Sequence, residues 1–407
     1  VHVLNGFAGG FSTYLVPDGH GTQEHPDASW VVGEAGSWLK AHRGEDAFLY
    51  LHLMDPHQPY RSHDDPTVVA PDLAPLAMRQ RNATAEEQAL LRRLYAGEVE
   101  HVDRVLAPFL AVLPAGAVVA FTSDHGEALG EHGAWGHGLN LYQEALRVPL
   151  LIRGPGVPVR DIWEPTQLVN LAPTLLDLVG VDSSAEMVGR PLRDGVAATP
   201  VVSTTFGGGP LRWAWRDGRH KVVLRMAAQP GLAVRSGSAM LEGRPLPAGG
   251  FHFDLSADPG ETEPGTVPPE LLPAVGRAFL SSAGRLVPGM QVVVWGRQGP
   301  VDAVLRVRGS LDVVQAWSVG PMEVERSDDH VSIHCSDGYP VCAAAFRVIP
   351  PPEWIEAAAE RHPREQLTPP ASGLEPGVHV WWNPERSLVV GGQHETLERL
   401  RALGYIE

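Results

Sequence analysis

The sequence predicts an α/β fold: a mostly parallel sheet sandwiched by helices, followed by a smaller antiparallel β subdomain and a β-rich appendage. Three observations carry this. Over the first 200 residues, short apolar runs that end in polar loops alternate with amphipathic stretches of helical period, the rhythm of strand and crossover helix. After about Thr199 the texture changes to short strands separated by turns. From about Met290 the pattern is β throughout, closing on a short helical stretch over Glu395–Leu403. The expected organisation is therefore 1–200, 201–285 and 286–407.

The elements follow in order. Asp27–His42 has helical spacing in Trp30, Val31, Trp38 and Leu39, with Asp27 as cap. Ala47–Leu53 is an apolar run that Pro56 terminates, which predicts a buried strand. Thr84–Leu113 is the longest helical signal. Thr84 and Glu87 form a capping box, and Leu90, Leu91, Leu94, Val99, Val102, Leu106 and Leu110 form its expected apolar face. Ala117–Thr122 and Pro149–Ile152 are the next strands. Gln167–Val179 is another helix, with Leu168, Leu171, Leu175, Leu176 and Val179 inward. Strands are expected at Val201–Thr205, Arg212–Trp215, Lys221–Leu224, Phe251–Leu255, Val292–Trp295, Ala303–Val307, His330–His334, Ala343–Val348, Val378–Trp382 and Leu388–Val390, with one helix near Pro269–Phe279.

Lys and Arg number 32 against 48 Asp and Glu, a formal charge of −16. That sign argues against a nucleic-acid partner. No stretch reaches the ~18 apolar residues of a membrane span. The 44 glycines and 37 prolines fit long, turn-rich loops. Cys335 and Cys342 flank a turn-forming stretch, so a hairpin disulfide is one option in an oxidising compartment.

The 18 histidines are unevenly placed. His52, His57 and His63 surround the end of one expected strand, and His125, His132 and His137 surround the end of another. In open α/β sheets, ligands bind beyond the carboxyl ends of strands. Asp124-His125-Gly126 is the sharpest signal. A carboxylate and an imidazole on consecutive residues leaving a strand can share one divalent ion if Gly126 lets the chain turn. Such an oxygen–nitrogen pair suits Mn²⁺, Zn²⁺ or Fe²⁺ better than Ca²⁺. The alternative is that Asp124 caps a helix starting near Glu127 and His125 is a loop residue. Likewise, His57 taken alone reads first as a histidine satisfied in a turn. Glu127, Glu131 and Glu144 read as surface or loop charges.

Several further segments stand out: Phe48-Leu-Tyr-Leu-His-Leu-Met-Asp-Pro-His-Gln-Pro-Tyr60, Phe121-Thr-Ser-Asp-His-Gly-Glu-Ala-Leu-Gly-Glu-His-Gly133, Trp135-Gly-His-Gly138, Leu141–Gly156, Leu171–Leu178, Phe253–Glu261 and the ending Leu400–Glu407. Taken together, they resemble the sulfatase family of the alkaline-phosphatase superfamily. The resemblance covers about residues 40–265 and the extreme C-terminus. It implies an alkaline-phosphatase-like α/β fold and metal-dependent hydrolysis of a small-molecule or carbohydrate sulfate ester. It implies one divalent cation, calcium or manganese, held by Asp124 and His125. His57 matches the histidine that contacts the transferred sulfate group, and His137 falls at the leaving-group oxygen. His52, His63 and His132 receive no role.

Many sulfatases have Asn where this chain has His125. The His form is similar to members that cleave phosphonate monoesters and phosphodiesters, often with Mn²⁺, which makes such a hydrolase the alternative activity. The family's Cys/Ser-x-Pro-x-Arg stretch, whose Cys or Ser becomes the formylglycine nucleophile, does not occur in the 407 residues. The expectation is that it precedes Val1, so that this chain alone is inactive. A non-catalytic remnant serving as a binding module is a further alternative. A periplasmic or secreted location is expected ahead of a cytoplasmic one.

Overall fold

The computed structural model describes residues 10–16 and 26–138, and residues 140–271 apart from gaps at 185–186, 188, 193–199, 206–211, 228–239, 242–243 and 246–249. It also describes 274–275, 278, and the strands between 289 and 383. The expected strand Leu388–Val390 and closing helix Glu395–Leu403 lie outside the described residues. The chain divides into two units. One comprises Val1–Phe121, Glu127–His137 and Leu150–Val157; the other comprises Thr122–Gly126, Gly138–Pro149 and Pro158–Glu407.

The first unit is built on helices. Helix α1 spans Ala28–Ala41, with Asp27 accepting from the Ser29 N–H as its cap. A single turn, α2, covers Ala74–Ala77, and α3 runs over Ala85–Ala111. The capping box at Thr84 and Glu87 is present as the sequence predicts. Helix α3 buries Leu91, Leu94, Val102 and Phe109, spaced as one helical face, and Glu98 lies on that same face. Val99 is exposed, since it falls beside the buried stripe. Helix α1 turns Val32, Ala35 and Leu39 inward and leaves Trp30 exposed, so its buried face is not the tryptophan face the spacing suggested.

The expected strand Ala47–Leu53 is a correction. This segment belongs to no sheet among the described residues. Its alternation survives: Leu49, Leu51 and Leu53 pack on the cluster of Val32, Ala35 and Phe109, while Phe48 and Tyr50 are exposed. Side-chain period records which face is buried, but a ladder also needs a neighbouring backbone, and here the covering partners are helices α1 and α3.

Strand β1 is Val119–Thr122. Strands β2, Ala128–Leu129, and β3, Trp135–Gly136, form an antiparallel pair. The turn of helix α4, Gln143–Leu146, precedes strand β4, Leu150–Arg153. β1 and β4 form a two-stranded sheet. Among the described residues, this two-stranded ladder stands where the larger, mostly parallel sheet was expected.

Helix α5, Leu171–Leu178, follows a 3-10 turn at Leu168–Asn170. It buries Pro173 and Thr174, and both flanking apolar residues, Leu168 and Val179, are exposed.

Beyond residue 200 the architecture is antiparallel. β5 (Val201–Thr204), β6 (Arg212–Arg216) and β7 (His220–Ala227) pair in order. A small ribbon joins β8 (Met240–Leu241) and β9 (Arg244–Pro245), and β10 (Gly250–Asp254) pairs with the other side of β7. The remaining strands are β11 (Gly289–Trp295), β12 (Val301–Arg306), β13 (Ser310–Ser318), β14 (Met322–Arg326), β15 (His330–Cys335), β16 (Val341–Ile349), β17 (Trp354–Ala357), β18 (Glu360–Pro363) and β19 (Gly377–Asn383).

They complete an eight-stranded sheet, ordered β19-β11-β16-β13-β7-β6-β5 with β10 on β7, and a five-stranded sheet, β14-β15-β12-β17-β18. Cys335 ends β15 in the five-stranded sheet and Cys342 opens β16 in the eight-stranded one. The core of this unit gathers Leu141, Tyr142, Ala214, Val223, Phe251 and Phe253.

Candidate active site

In the first unit, the loop after Leu53 delivers His57, and the segment after β3 delivers His137. Their rings meet edge to face, with centroids 5.0 Å apart. His57 Nδ1 stands 2.7 Å from the Gln58 carbonyl. A carbonyl only accepts, so Nδ1 carries the proton and Nε2 is the ring's other functional edge. His137 Nδ1 donates to the Glu127 carboxylate, 3.2 Å from Oε1 and 3.3 Å from Oε2. Each imidazole is thereby fixed in orientation by one partner at Nδ1.

Glu127 is buried, with 9% of its surface exposed. Reading it as a surface charge is therefore wrong. Nor does any helix begin there: Ala128 and Leu129 form β2, so Asp124 caps no helix at Glu127. The Tyr60 hydroxyl is buried near the same carboxylate, and burial together with the Glu127 charge pushes its pKa well above the ordinary phenol value.

In the second unit, Asp124, His125 and Gly126 leave β1 as a tight turn. The Gly126 N–H donates to the Ala145 carbonyl at 2.8 Å. A Cβ at Gly126 would lie 2.0 Å from the Glu144 carbonyl oxygen, so only glycine lets the two backbones approach this closely. The Ser123 hydroxyl donates to the His125 carbonyl at 2.6 Å. His125 Nδ1 donates to the Gly126 carbonyl at 2.9 Å, which leaves the ring's lone pair on Nε2. His125 Nε2 and Asp124 Oδ1 stand 3.7 Å apart. Two ligands about 2.0–2.3 Å from one ion require a separation of about 3.0–3.7 Å, so the pair fits a shared divalent cation. The Asp124 side chain is 75% exposed.

The sequence-predicted residues thus form two pairs, His57 with His137 and Asp124 with His125. His132 is buried at φ 54° within a 3-10 turn, and His52 meets the Tyr50 hydroxyl at 3.2 Å. His63 meets Glu98. Sequence reasoning missed Glu127 as the partner of His137. The only local signal was its place two residues after His125 in an otherwise recognisable stretch.

Residues 21–181 match the sulfatase family model. This segment belongs to the sulfatase family. The chain is 31% identical over 194 residues to a choline-sulfatase of Rhizobium meliloti (strain 1021), covering 44% of this chain and 34% of that protein. It is 26% identical over 209 residues to an arylsulfatase of Clostridium perfringens, covering 44% and 43%. A multifunctional alkaline phosphatase superfamily protein of Trinickia caryophylli shares 24% over 212 residues, 42% and 41%. The chain therefore spans less than half the length of these sulfatase relatives. Among the described residues, no helix is long and apolar enough to cross a membrane.

Proposed function

We propose that this chain is the part of a sulfate-ester hydrolase that supplies two ligands of a divalent cation and two histidines to the reacting ester. The observation that carries the reading is the Asp124–His125 turn. Gly126 holds the two donors side by side, and the Gly126 carbonyl fixes the His125 tautomer with Nε2 as the donor. Asp124 and His125 would hold the cation. When bound, it supplies Lewis acidity toward the charge that develops on ester oxygens.

His57 presents Nε2, because its Nδ1 proton is committed to the Gln58 carbonyl, and in the family it contacts the transferred group. His137 is held at Nδ1 by Glu127, and in its doubly protonated form the Nε2–H is the edge that gives a proton or hydrogen bond to the departing oxygen. On this reading the attacking formylglycine is carried on sequence outside the 407 residues, and the chain by itself turns nothing over.

A phosphonate monoester or phosphodiester is the second reading. It is favoured by His at position 125, where the calcium-binding sulfatases have Asn. An imidazole selects a transition ion over calcium.

The test is hydrolysis of an aryl sulfate and an aryl phosphonate monoester by the protein that carries these residues, with Ca²⁺ or Mn²⁺ supplied. Metal-dependent turnover of the sulfate supports the first reading, and a preference for the phosphonate with Mn²⁺ supports the second. Turnover of neither refutes both. The isolated 407-residue chain should turn over neither, and metal-dependent activity there would contradict the placement of the nucleophile.

A further inference from the structure

We propose that Asp27, Asp55, His63, Glu98 and His101 form a zinc-type metal site that owes nothing to Asp124 and His125. All five lie in the first unit. Two overlapping trios, Asp27–His63–His101 and Asp55–His63–Glu98, each have their donor atoms within 4.8 Å of one another. The donors come from three rigid places. Asp27 and Asp55 sit at the start of α1, where Asp27 caps it and Asp55 Oδ1 accepts from the Ala28 N–H at 3.0 Å. Glu98 and His101 stand three apart on α3, the Glu-x-x-His spacing that places a carboxylate and an imidazole on one helix face. His63 comes from the loop between them.

The geometry is that of a ligand set drawn together. His63 Nε2 lies 2.6 Å from Glu98 Oε2. His101 Nε2 lies 3.2 Å from Asp27 Oδ1 and 3.7 Å from Asp55 Oδ1. The two imidazoles stack at 3.7 Å with planes 6° apart, which sets His63 on Glu98 beside His101 on Asp27 and Asp55.

Asp55 has a side chain only 4% exposed, yet its Oδ2 has no hydrogen-bond partner. A buried carboxylate oxygen without a donor is costly, and a cation satisfies it. Charge points the same way. Three carboxylates face two imidazoles, so the cluster is net negative whatever the imidazoles carry, and the Glu98 and Asp55 side chains are nearly dry. Two imidazoles with carboxylates suit Zn²⁺ among biological divalent ions, whereas Mg²⁺ and Ca²⁺ prefer oxygen alone.

The experiment uses the 407-residue chain carrying Asp124→Ala, which removes the other proposed ligand pair at an exposed position. After chelation and dialysis it is titrated with Zn²⁺ by calorimetry. One equivalent should bind, and adding His101→Asn or Asp55→Asn should weaken binding at least about tenfold. Absence of a Zn²⁺ equivalent in the Asp124→Ala chain overturns the proposal, as does equal binding by folded His101→Asn and Asp55→Asn chains.

A readout without ligand variants guards against misfolding. Zn²⁺ should protect His63 and His101 from diethyl pyrocarbonate in the Asp124→Ala chain, read by mass spectrometry. Unchanged labelling at both histidines also overturns the site. Loss of activity in the sulfatase assay bears on Asp124 and His125 and leaves this result standing.

Discussion

Glu127 holds His137: the imidazole Nδ1 lies 3.2 Å from one carboxylate oxygen and 3.3 Å from the other, and the carboxylate is buried. A buried acid beside an imidazole fixes both its tautomer and its ring orientation. Glu127→Gln keeps the shape and removes the charge. In the protein that carries these residues, it should lower kcat about tenfold or more for esters with poor leaving groups and much less for activated aryl esters. Equal losses across a leaving-group series would show that Glu127 acts only on folding or binding.

His137→Ala should show the same selectivity in stronger form. A proton supplied by His137 would matter most where the departing oxygen is most basic. His57→Ala should instead depress good and poor substrates alike, since the proposed contact with the transferred group would be common to both. A leaving-group slope unchanged by His137→Ala would remove that histidine from proton transfer.

Gly126 is the mechanical element of the Asp-His-Gly turn. A methyl group there would stand 2.0 Å from the Glu144 carbonyl oxygen, an impossible contact that forces the two segments apart. Gly126→Ala should cost about 1–3 kcal/mol by overpacking. It should also weaken divalent-ion binding, because Asp124 and His125 leave the same turn. Unaltered thermal stability and metal affinity together would contradict the close approach.

The pattern of the long helix was legible in the sequence because its signals are local. Thr84 and Glu87 cap it reciprocally within one turn, and the buried residues repeat at helical period. The strand expected at Ala47–Leu53 was half legible. Alternation gave the buried Leu49, Leu51 and Leu53, but what covers them is set by residues far along the chain. Glu127 and the Asp27–His63–His101 cluster were illegible for the same reason. His101 and Asp27 are 74 positions apart, and nothing in the spacing of either announces the other. Asp124-His125-Gly126 was legible because a two-donor turn needs consecutive residues and a glycine.

Glu87 gives a pH-dependent check on the helix start. The Arg81 guanidinium pairs with both its oxygens at 2.7 Å, and the Thr84 N–H donates to it at 2.9 Å, so its carboxyl falls from the ordinary 4.5 to about 2. A depressed carboxyl pKa means that its stabilisation is fully present above the ordinary value. That stabilisation is lost as pH falls through the folded value. The Tm advantage of the native chain over Glu87→Gln should therefore be present at pH 6, shrink as pH falls below about 4.5, and vanish only below about pH 2. A difference independent of pH would place the effect elsewhere.

Lys221 and Glu261 form a fully buried pair at 2.5 Å, and Glu261 also accepts from the Gln143 N–H at 2.8 Å. Burial pulls the Lys221 pKa below its ordinary value, and the Glu261 charge offsets part of that. Glu261→Gln strands the ammonium and should destabilise the second unit by about 3–5 kcal/mol. Lys221→Met with Glu261→Gln should recover much of the loss, read by chemical denaturation. A double variant no more stable than the single would contradict a charge-based cost.

On the proposed reading, hydrolysis depends on a divalent cation held by Asp124 and His125. The most direct measurement is metal content by elemental analysis alongside aryl sulfate turnover, before and after Asp124→Ala, in the protein that carries these residues. One equivalent of divalent metal and the activity should disappear together, with the fold retained. Metal content and turnover unchanged by the substitution would contradict it.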